Sequence, residues 1–317
     1  PHTSCAAQSL ASEIPLCTPH LGIAPAHPWM TWARWATRAR HSWCDTVDLF
    51  AFSVYPLRRT QLRATQTCVV TIEQWRGADV GSGGYVWGAA RRLAKHLREH
   101  GDGCSAVLSA NNPGGASLGT TYPAVASRPW SKLTVLELGA GTGALGLVAA
   151  ALGAHSVTLT DQAAFIYPTG PNGTAPKAVE GGRSLIDLMR RNVLAFVAAD
   201  EQESYCKPVV REMVWGCGDA VHALPHVSYN LICASDVLLF ASAHKDLTAT
   251  LRALSEASTV VLIEHTDRDG KEVNNGGVYP KDLLEFLQEL EADALWTPTI
   301  VKDHGRHLTL RLVRTLA

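Results

Sequence analysis

The chain has 317 residues, of which 46% are hydrophobic and 18% are charged, and its formal net charge at pH 7 is −1. This length is sufficient for one large α/β domain or two small ones with a sizeable core. The near-neutral charge excludes a globally basic nucleic-acid-binding protein, and no apolar run reaches the roughly 18 residues of a membrane span. We therefore expect a soluble protein that binds neither nucleic acid nor membrane.

The cysteines and histidines indicate neither a metal site nor a disulfide framework. The eight cysteines are scattered and include no CxxC pair. His155, His222, His226 and His265 lack the spacing of metal ligands. We expect reduced, buried thiols in an intracellular, cytoplasmic protein without a bound metal.

Residues 1–67 form a segment of unusual composition. They contain six arginines but only three acidic residues, and their apolar residues follow no clear period. One interpretation is an organelle transit peptide, which is typically arginine-rich and acid-poor. The other is a poorly ordered extension outside the core. Both interpretations place the start of the folded domain at residue 68.

After this segment, strands and helices are predicted to alternate. Residues 86–100 are the clearest helix, with Trp87, Leu93 and Leu97 on one apolar face. The predicted strands are 68–74, 133–138, 156–160, 209–214, 229–234 and 259–264, and the other predicted helices are 143–152, 183–199, 245–257 and 280–291. Two apolar runs within 299–313 are expected to pair as a closing hairpin, and the Gly/Pro-rich stretches 101–129 and 167–182 are expected to be insertions. This alternation predicts an α/β, Rossmann-like fold with a mostly parallel sheet covered by helices on both faces.

The turn LGAGTG (138–143) follows a predicted strand at its carboxyl end, where open α/β sheets bind ligands. A P-loop would require GK[ST] at the end of the turn, which is absent. A dinucleotide site prefers GxGxxG, and here Ala144 stands at the position of the third glycine, a substitution that the looser pattern tolerates. The glycines alone are also compatible with tight packing of the strand against the helix and no ligand.

Two acidic residues favour a cationic cofactor without phosphates. Glu137 precedes the first glycine and is expected to point toward the ligand pocket, where a carboxylate would repel a pyrophosphate. Asp161 ends the next strand and suits the hydroxyls of a ribose. S-adenosyl-L-methionine carries a positive sulfonium and a positive amino group. These residues therefore favour S-adenosylmethionine over a nicotinamide dinucleotide.

Six motifs occur in order along the chain: VWGAARRLA (86–94), VLELGAGTG (135–143), SVTLTD (156–161), LMRRNV (188–193), VWG (214–216) and YNLICASDVL (229–238). Together they resemble the seven-strand methyltransferase-like group, methyltransferase family 16, which includes protein-lysine methyltransferases of heat-shock chaperones, elongation factors and calmodulin. The resemblance covers about residues 68–315. It implies a seven-stranded sheet, S-adenosylmethionine as cofactor, and a protein substrate such as a chaperone or a translation factor. We expect a monomeric enzyme.

The resemblance also implies which residues contact the cofactor: Trp87, Gly139, Ala140, Gly141, Asp161, Trp215 and Ser235. Trp87 would face the cationic methionine end, although it is equally a candidate core anchor. Asp161 would accept the ribose hydroxyls or, alternatively, cap a helix. Trp215 would pack on the adenine. Asp219 would either meet the exocyclic amine of the adenine or remain a solvated loop acid.

Asp236 is the predicted catalytic residue. The family pattern at this place is an acid, two residues and then a tyrosine, but here Leu239 stands where the tyrosine would. An acid near a lysine amine suits methyl transfer, because the amine must lose a proton and approach in line. The leucine implies either a relaxed substrate contact or a target other than the usual lysine. Besides a protein-lysine methyltransferase, a nicotinamide-dependent oxidoreductase and a non-catalytic cofactor-binding scaffold remain open, and Asp236 has a structural alternative as the cap of the next turn.

Overall fold

The computed structural model describes residues 55–65, 68–76, 81–99, 129–163, 184–200, 204–266, 281–303 and 307–314. The chain divides into the units Pro1–Leu49 and Phe50–Ala317, and every described residue lies in the second unit. Most of the arginine-rich segment, the expected insertion at 101–129 apart from its last residue, and the expected insertion at 167–182 lie outside the described residues.

The described elements alternate as the sequence predicts. The strands are β1 (Tyr55–Arg63), β2 (Val69–Arg76), β3 (Thr134–Leu138), β4 (Ser156–Asp161), β5 (Val209–Glu212), β6 (Leu231–Ser235), β7 (Val260–Thr266), β8 (Trp296–Asp303) and β9 (His307–Arg314). The helices are α1 (Gly88–Glu99), α2 (Ala144–Ala151), α3 (Leu185–Ala198), α4 (Gly218–His222), α5 (His244–Ala253) and α6 (Lys281–Asp293), with short 3₁₀ turns at Gly81–Gly84, Trp130–Lys132 and Ala241–Ala243. No described helix has the length and apolar character needed to cross a membrane.

The main sheet has seven strands in the order β5-β4-β3-β6-β7-β9-β8. The first five of these are parallel to one another, whereas β9 runs antiparallel to both β7 and β8. The expected closing hairpin is therefore confirmed, and so is the mostly parallel, Rossmann-like sheet. Since β3 and β4 lie side by side and β6 flanks β3, the carboxyl ends of these three strands meet at one edge.

Each face of this sheet carries its own core, because successive side chains of a strand point to opposite faces. On β3, Val135 belongs to the cluster that includes α1, α2 and α3, whereas Leu136 and Leu138 belong to the cluster that includes α5 and α6. The alternation puts Glu137 on the same face as Val135, beneath α2. This position decides the role of Glu137 described below.

Strand β1 lies within the stretch 1–67 that the sequence predicts to be outside the domain. It pairs antiparallel with β2, and Leu62 and Ala64 are buried in the same cluster as α1 and α2. The side chain of Asn192 on α3 joins this two-stranded sheet to the rest of the domain: its Oδ1 accepts from the Glu73 backbone N–H at 2.7 Å, and its Nδ2 donates to the Glu73 carbonyl at 3.0 Å. These contacts place β1 in the domain and correct the boundary expected at residue 68. The sequence misses β1 because its charged residues obscure any apolar alternation.

Candidate functional site

A cavity of about 300 Å³ opens at the carboxyl edge of the sheet. Its walls come from the segments that follow β3, β4, β5 and β6, and from the segment that precedes α1. The residues that line it are Ser82, Gly83, Tyr85, Trp87, Ala90, Gly139, Ala140, Gly141, Thr142, Ala144, Asp161, Gln162, Leu185, Met213, Val214, Trp215, Ser235, Asp236, Val237, Leu239, Phe240, Ala243 and Asp246. Of the predicted site residues, Glu137 and the alternative adenine contact Asp219 are not among them.

The glycine turn has a backbone that other residues could not adopt without strain. Gly139 and Gly141 have φ angles of 61° and 54°, in the left-handed region. A Cβ at Gly141 would lie 2.5 Å from the carbonyl oxygen of Gly83, so the 3₁₀ turn Gly81–Gly84 packs directly on the glycine turn. Asn192 supports the turn from the other direction, since its Nδ2 also donates to the Thr142 carbonyl at 3.0 Å. The glycines therefore allow two backbone segments to meet at the wall of the cavity.

Asp161 ends β4 and holds the glycine turn while it faces the cavity. Its Oδ2 accepts from the Gly141 N–H at 2.7 Å, and its Oδ1 accepts from the Gln162 N–H at 2.8 Å. A carboxylate has about four acceptor sites, so lone pairs remain for a ligand. Burial raises the pKa of this carboxyl to about 6, although the two N–H groups oppose the rise.

Glu137 does not face the cavity, which corrects the expectation that it points toward the ligand. Its side chain is buried beneath α2, where Oε1 accepts from the Leu145 N–H at 3.2 Å and Oε2 accepts from the Gly146 N–H at 2.8 Å. These are N–H groups of the first turn of α2, which have no partner within the helix. Burial raises the pKa of Glu137 to about 8, and the two backbone N–H groups oppose that rise. Glu137 therefore fastens the start of α2 to β3.

Glu137→Ala is expected to reduce the free energy of unfolding by about 2–5 kcal/mol, because two buried N–H groups lose their acceptor and a void remains. Glu137→Gln retains one carbonyl acceptor and most of the volume, so a smaller loss is expected. Urea unfolding followed by circular dichroism measures both variants. Equal stability of the alanine variant and the wild-type protein would contradict this role.

The segment before α1 contributes two aromatic side chains to the cavity. The indole N–H of Trp87 donates to the Ser82 carbonyl at 2.6 Å. The ring of Trp87 meets that of Tyr85 edge-to-face, with the centroids 5.6 Å apart. Trp87 is half-buried and lines the cavity, so it is more than a core anchor of α1.

The segment after β5 brings Trp215 to the other part of the cavity wall. A Cβ at Gly139 would lie 3.4 Å from a ring carbon of Trp215 and 3.0 Å from a methyl carbon of Val237. The indole therefore lies against the glycine turn, where the sequence predicts contact with the cofactor. Asp219, by contrast, is exposed on the first turn of α4 and does not line the cavity.

Ser235 and Asp236 follow one another at the end of β6, and both line the cavity. Asp236 has a φ of 55°, which is unusual for a residue other than glycine. Its N–H donates to the Glu264 carbonyl at 2.8 Å, and its Oδ1 accepts from the Thr266 N–H at 2.9 Å. Strand β7 thus holds Asp236 in this conformation. Leu239 lies in the same wall.

An ion pair between Arg92 and Glu264 supports the backbone segment that holds Asp236. Arg92 on α1 donates from Nε to Oε1 of Glu264 at 2.6 Å and from Nη2 to the hydroxyl of Thr266 at 2.7 Å. The Glu264 side chain is only 3% exposed, and its Oε2 accepts from the Thr309 hydroxyl at 2.5 Å. The backbone groups that hold Asp236 therefore belong to residues that Arg92 fixes.

All the charged side chains among the described lining residues of the cavity are acidic. Three carboxylates line it, those of Asp161, Asp236 and Asp246, and no lysine, arginine or histidine is among its described lining residues. Such a wall attracts cations and repels phosphates.

Sequence reasoning missed Tyr85 and Asp246 as lining residues. Tyr85 stands directly before the VWG motif, and its distance from the glycine turn along the chain hides their proximity. Asp246 is on the first turn of α5 and carries no motif. Only the position of α1 and α5 against the sheet brings these side chains to the cavity.

Two of the four histidines without metal-ligand spacing contact other protein groups. His226 Nε2 lies 2.8 Å from the Ser156 hydroxyl, and His265 Nε2 lies 3.1 Å from Asp282 Oδ2. Within the described ranges, no three His, Cys, Asp or Glu side chains form a group that could hold a metal ion. The described cysteines, Cys68, Cys206, Cys217 and Cys233, are free thiols.

A mostly parallel sheet closed by an antiparallel hairpin, with a glycine turn and an acidic cavity at its carboxyl edge, defines the class: a seven-stranded, Rossmann-like α/β fold with a candidate ligand site at the ends of its strands. Within that class, residues 65–169 match the model of the family described as lysine methyltransferase. This match agrees with the predicted resemblance over the first three of the six motifs, and the matched stretch includes the glycine turn and Asp161.

Curated relatives agree with this match. Protein N-lysine methyltransferase METTL21A of Danio rerio is 31% identical over 129 residues, which is 41% of this chain and 47% of that protein. The protein of the same name from Mus musculus is 30% identical over 130 residues, 41% of this chain and 48% of that protein. The chain therefore matches about half the length of these relatives.

Solved structures with a similar chain course are more distant. A ribosomal protein L11 methylase from Lactobacillus delbrueckii subsp. bulgaricus has a TM-score of 0.37 at 18% identity, over 58% of this chain and 70% of that chain. An O-methyltransferase from Bacillus cereus in complex with SAH has a TM-score of 0.39 at 14% identity, over 58% of this chain and 76% of that chain. At these scores the likenesses say nothing further about this chain.

Proposed function

We propose that this chain is an S-adenosylmethionine-dependent methyltransferase that acts on lysine side chains of a protein. The position of Glu137 is the observation that supports this cofactor over a dinucleotide. A dinucleotide places its pyrophosphate on the free N–H groups at the start of the helix that follows the glycine turn. Here the N–H groups of Leu145 and Gly146 already donate to the Glu137 carboxyl. A cofactor without phosphates fits this turn, and the oxidoreductase alternative is not supported.

The lining residues fit the parts of S-adenosylmethionine. Asp161 has lone pairs for the ribose hydroxyls, and the backbone of Gly139, Ala140 and Gly141 allows close approach of the methionine part. Trp87 offers an aromatic face to the cationic end of the cofactor. The three carboxylates suit its positive charges.

S-adenosylmethionine supplies a methyl group made electrophilic by the positive sulfonium. The lysine amine needs a free lone pair and an in-line approach, so its ammonium must first lose a proton. We assign to Asp236, which lines the cavity, the role of orienting the ammonium and taking part in that proton loss. Leu239 and the half-exposed Phe240 give this part of the cavity an apolar wall, which favours the neutral amine over the ammonium.

Three further features of the function are proposals that follow from the same resemblance and composition. The substrate is a cellular protein, such as a chaperone or a translation factor. The enzyme is a monomer, which light scattering in solution tests. Its location is the cytoplasm, for which the free thiols of the described cysteines are the supporting observation.

Leu239 favours one alternative, a non-catalytic cofactor-binding scaffold, because no hydroxyl stands at that position. Tyr85 counts against it, since a tyrosine reaches the same cavity from the segment before α1. Transfer of a tritiated methyl group from S-adenosylmethionine into a whole-cell lysate decides between the two. We expect a labelled protein band whose label is recovered as methyllysine after acid hydrolysis. A protein that binds S-adenosylhomocysteine but labels no lysate would be a scaffold.

The affinity for S-adenosylhomocysteine is expected to fall as the pH decreases through about 6. The cause is Asp161, because ribose hydroxyls donate to its ionised form, and below its pKa of about 6 the carboxyl must first lose a proton. Well above its pKa of about 6 the carboxyl is almost fully ionised, so there this residue contributes little pH dependence. Asp161→Asn is expected to bind about tenfold more weakly or worse at pH 7.5 and to lose the change near pH 6. Titration calorimetry at a series of pH values measures both the affinity and its change near pH 6. If the variant keeps the pH dependence of the wild-type protein, Asp161 does not bind the ribose.

A further inference from the structure

The strand order predicts where the base of the bound cofactor lies. Asp161, the proposed ribose ligand, is at the end of β4, and Asp236, the proposed catalytic residue, is at the end of β6. The methionine part must run from the ribose toward β6, so the base must extend to the other side. There, the segment after β5 borders the cavity with Val214 and Trp215.

A carboxylate from a different element stands at this place. If Gly216 carried a Cβ, that atom would lie 2.6 Å from Oδ1 of Asp246 on α5. The two segments are also tied together, because the Gly216 N–H donates to the Thr250 hydroxyl at 2.9 Å, and that hydroxyl donates to the Asp246 carbonyl at 2.8 Å. Asp246 is therefore held beside Trp215 and Gly216, and it lines the cavity.

We infer that the Asp246 carboxylate recognises the exocyclic amine of the cofactor's adenine, accepting a hydrogen bond from it while Trp215 packs on the base. A carboxylate only accepts hydrogen bonds, and the amine is the donor of the adenine edge. Asp246 forms no ion pair with a described lysine or arginine, so the carboxylate is available to a ligand. Asp219, the acid that the sequence proposes for this role, does not reach the cavity. The inference rests on the proposed function, because it requires a cofactor that contains adenine.

Titration calorimetry with two ligands tests this assignment without a methyl acceptor. One ligand is S-adenosylhomocysteine, and the other is its analogue with hydrogen in place of the 6-amino group. A hydrogen bond to a charged group predicts that the wild-type protein binds S-adenosylhomocysteine about ten- to hundredfold more tightly than the analogue. Asp246→Ala is expected to bind the two ligands within about twofold of each other, since the partner of the amine is gone. Asp219→Asn, the matched control on α4, should discriminate as the wild-type protein does.

The outcomes separate this inference from the proposed function. Wild-type protein that binds neither ligand would overturn the proposed cofactor, and the inference with it. Equal wild-type affinities for the two ligands, or full discrimination by Asp246→Ala, would overturn the inference alone. If the alanine variant does not fold, Asp246→Asn decides, because its amide keeps the shape of the side chain. Its ratio of affinities should then fall between one and the wild-type ratio, and an unchanged ratio counts against Asp246.

Discussion

Asp236→Asn is expected to reduce methyl transfer by about 100-fold or more, the usual range for losing a positioned acid or base. The affinity for S-adenosylhomocysteine should change little, because the amide has the same volume and faces the substrate side. The variant should also fold, since the amide oxygen of asparagine can still accept from the Thr266 N–H as Oδ1 of Asp236 does. The measurement is the rate of tritium transfer from S-adenosylmethionine into the labelled lysate protein, with calorimetry as the binding control.

Leu239→Tyr is the companion variant. It restores the tyrosine hydroxyl that the family pattern has at this position. The rate of methyl transfer to lysine is therefore expected to be maintained or raised. Folded Asp236→Asn protein that methylates at the wild-type rate would show that Asp236 only caps the turn between β6 and the following segment. The wild-type protein would then need another proton acceptor, for which Tyr85 is the candidate in the cavity wall.

Arg92→Met is expected to lower the free energy of unfolding by about 3 kcal/mol. Glu264 is 3% exposed and would lose the one cationic partner that it has among the described residues, and an uncompensated buried charge costs about 3–5 kcal/mol. The lower end of this range applies because Arg92 is 29% exposed, so water already screens the pair in part. Urea unfolding of the variant and the wild-type protein gives the difference.

The neighbouring arginine provides a matched control. Arg91 is exposed and donates to the Thr60 hydroxyl, so Arg91→Met should cost less than about 1 kcal/mol. The double variant Arg92→Met, Glu264→Gln removes the buried charge as well and should recover part of the loss. If the two single arginine variants are equally stable, the ion pair of Arg92 with Glu264 contributes no more to stability than the exposed contact of Arg91 does. Because Glu264 and Thr266 hold Asp236, Arg92→Met should also slow methyl transfer.

The expectations for the acids show where sequence reasoning succeeds and where it fails. Asp161 could be placed from the sequence, because the last residue of a parallel strand beside a glycine turn has little choice of location. Glu137 is one residue from the strand end, and the two-residue period of β3 turns it to the face covered by α2. The motif places an acid beside the glycine turn, but the expected contact of Glu137 with the ligand is not what the structure shows. The acid acts by occupying the N–H groups of α2 and not by touching the ligand.

Local sequence patterns are sufficient to predict the alternation of strands and helices, the glycine turn, the acid at the end of β4 and the family resemblance. These are local properties, since hydrophobic period and turn chemistry act over a few residues and motifs keep their spacing. Three findings became visible only in the folded domain: β1 belongs to it, Arg92 supports the segment around Asp236, and Tyr85 and Asp246 reach the cavity. The physical reason is that these contacts join elements far apart in the chain. They depend on the strand order and on which helix packs on which face, and no local pattern of side chains encodes either.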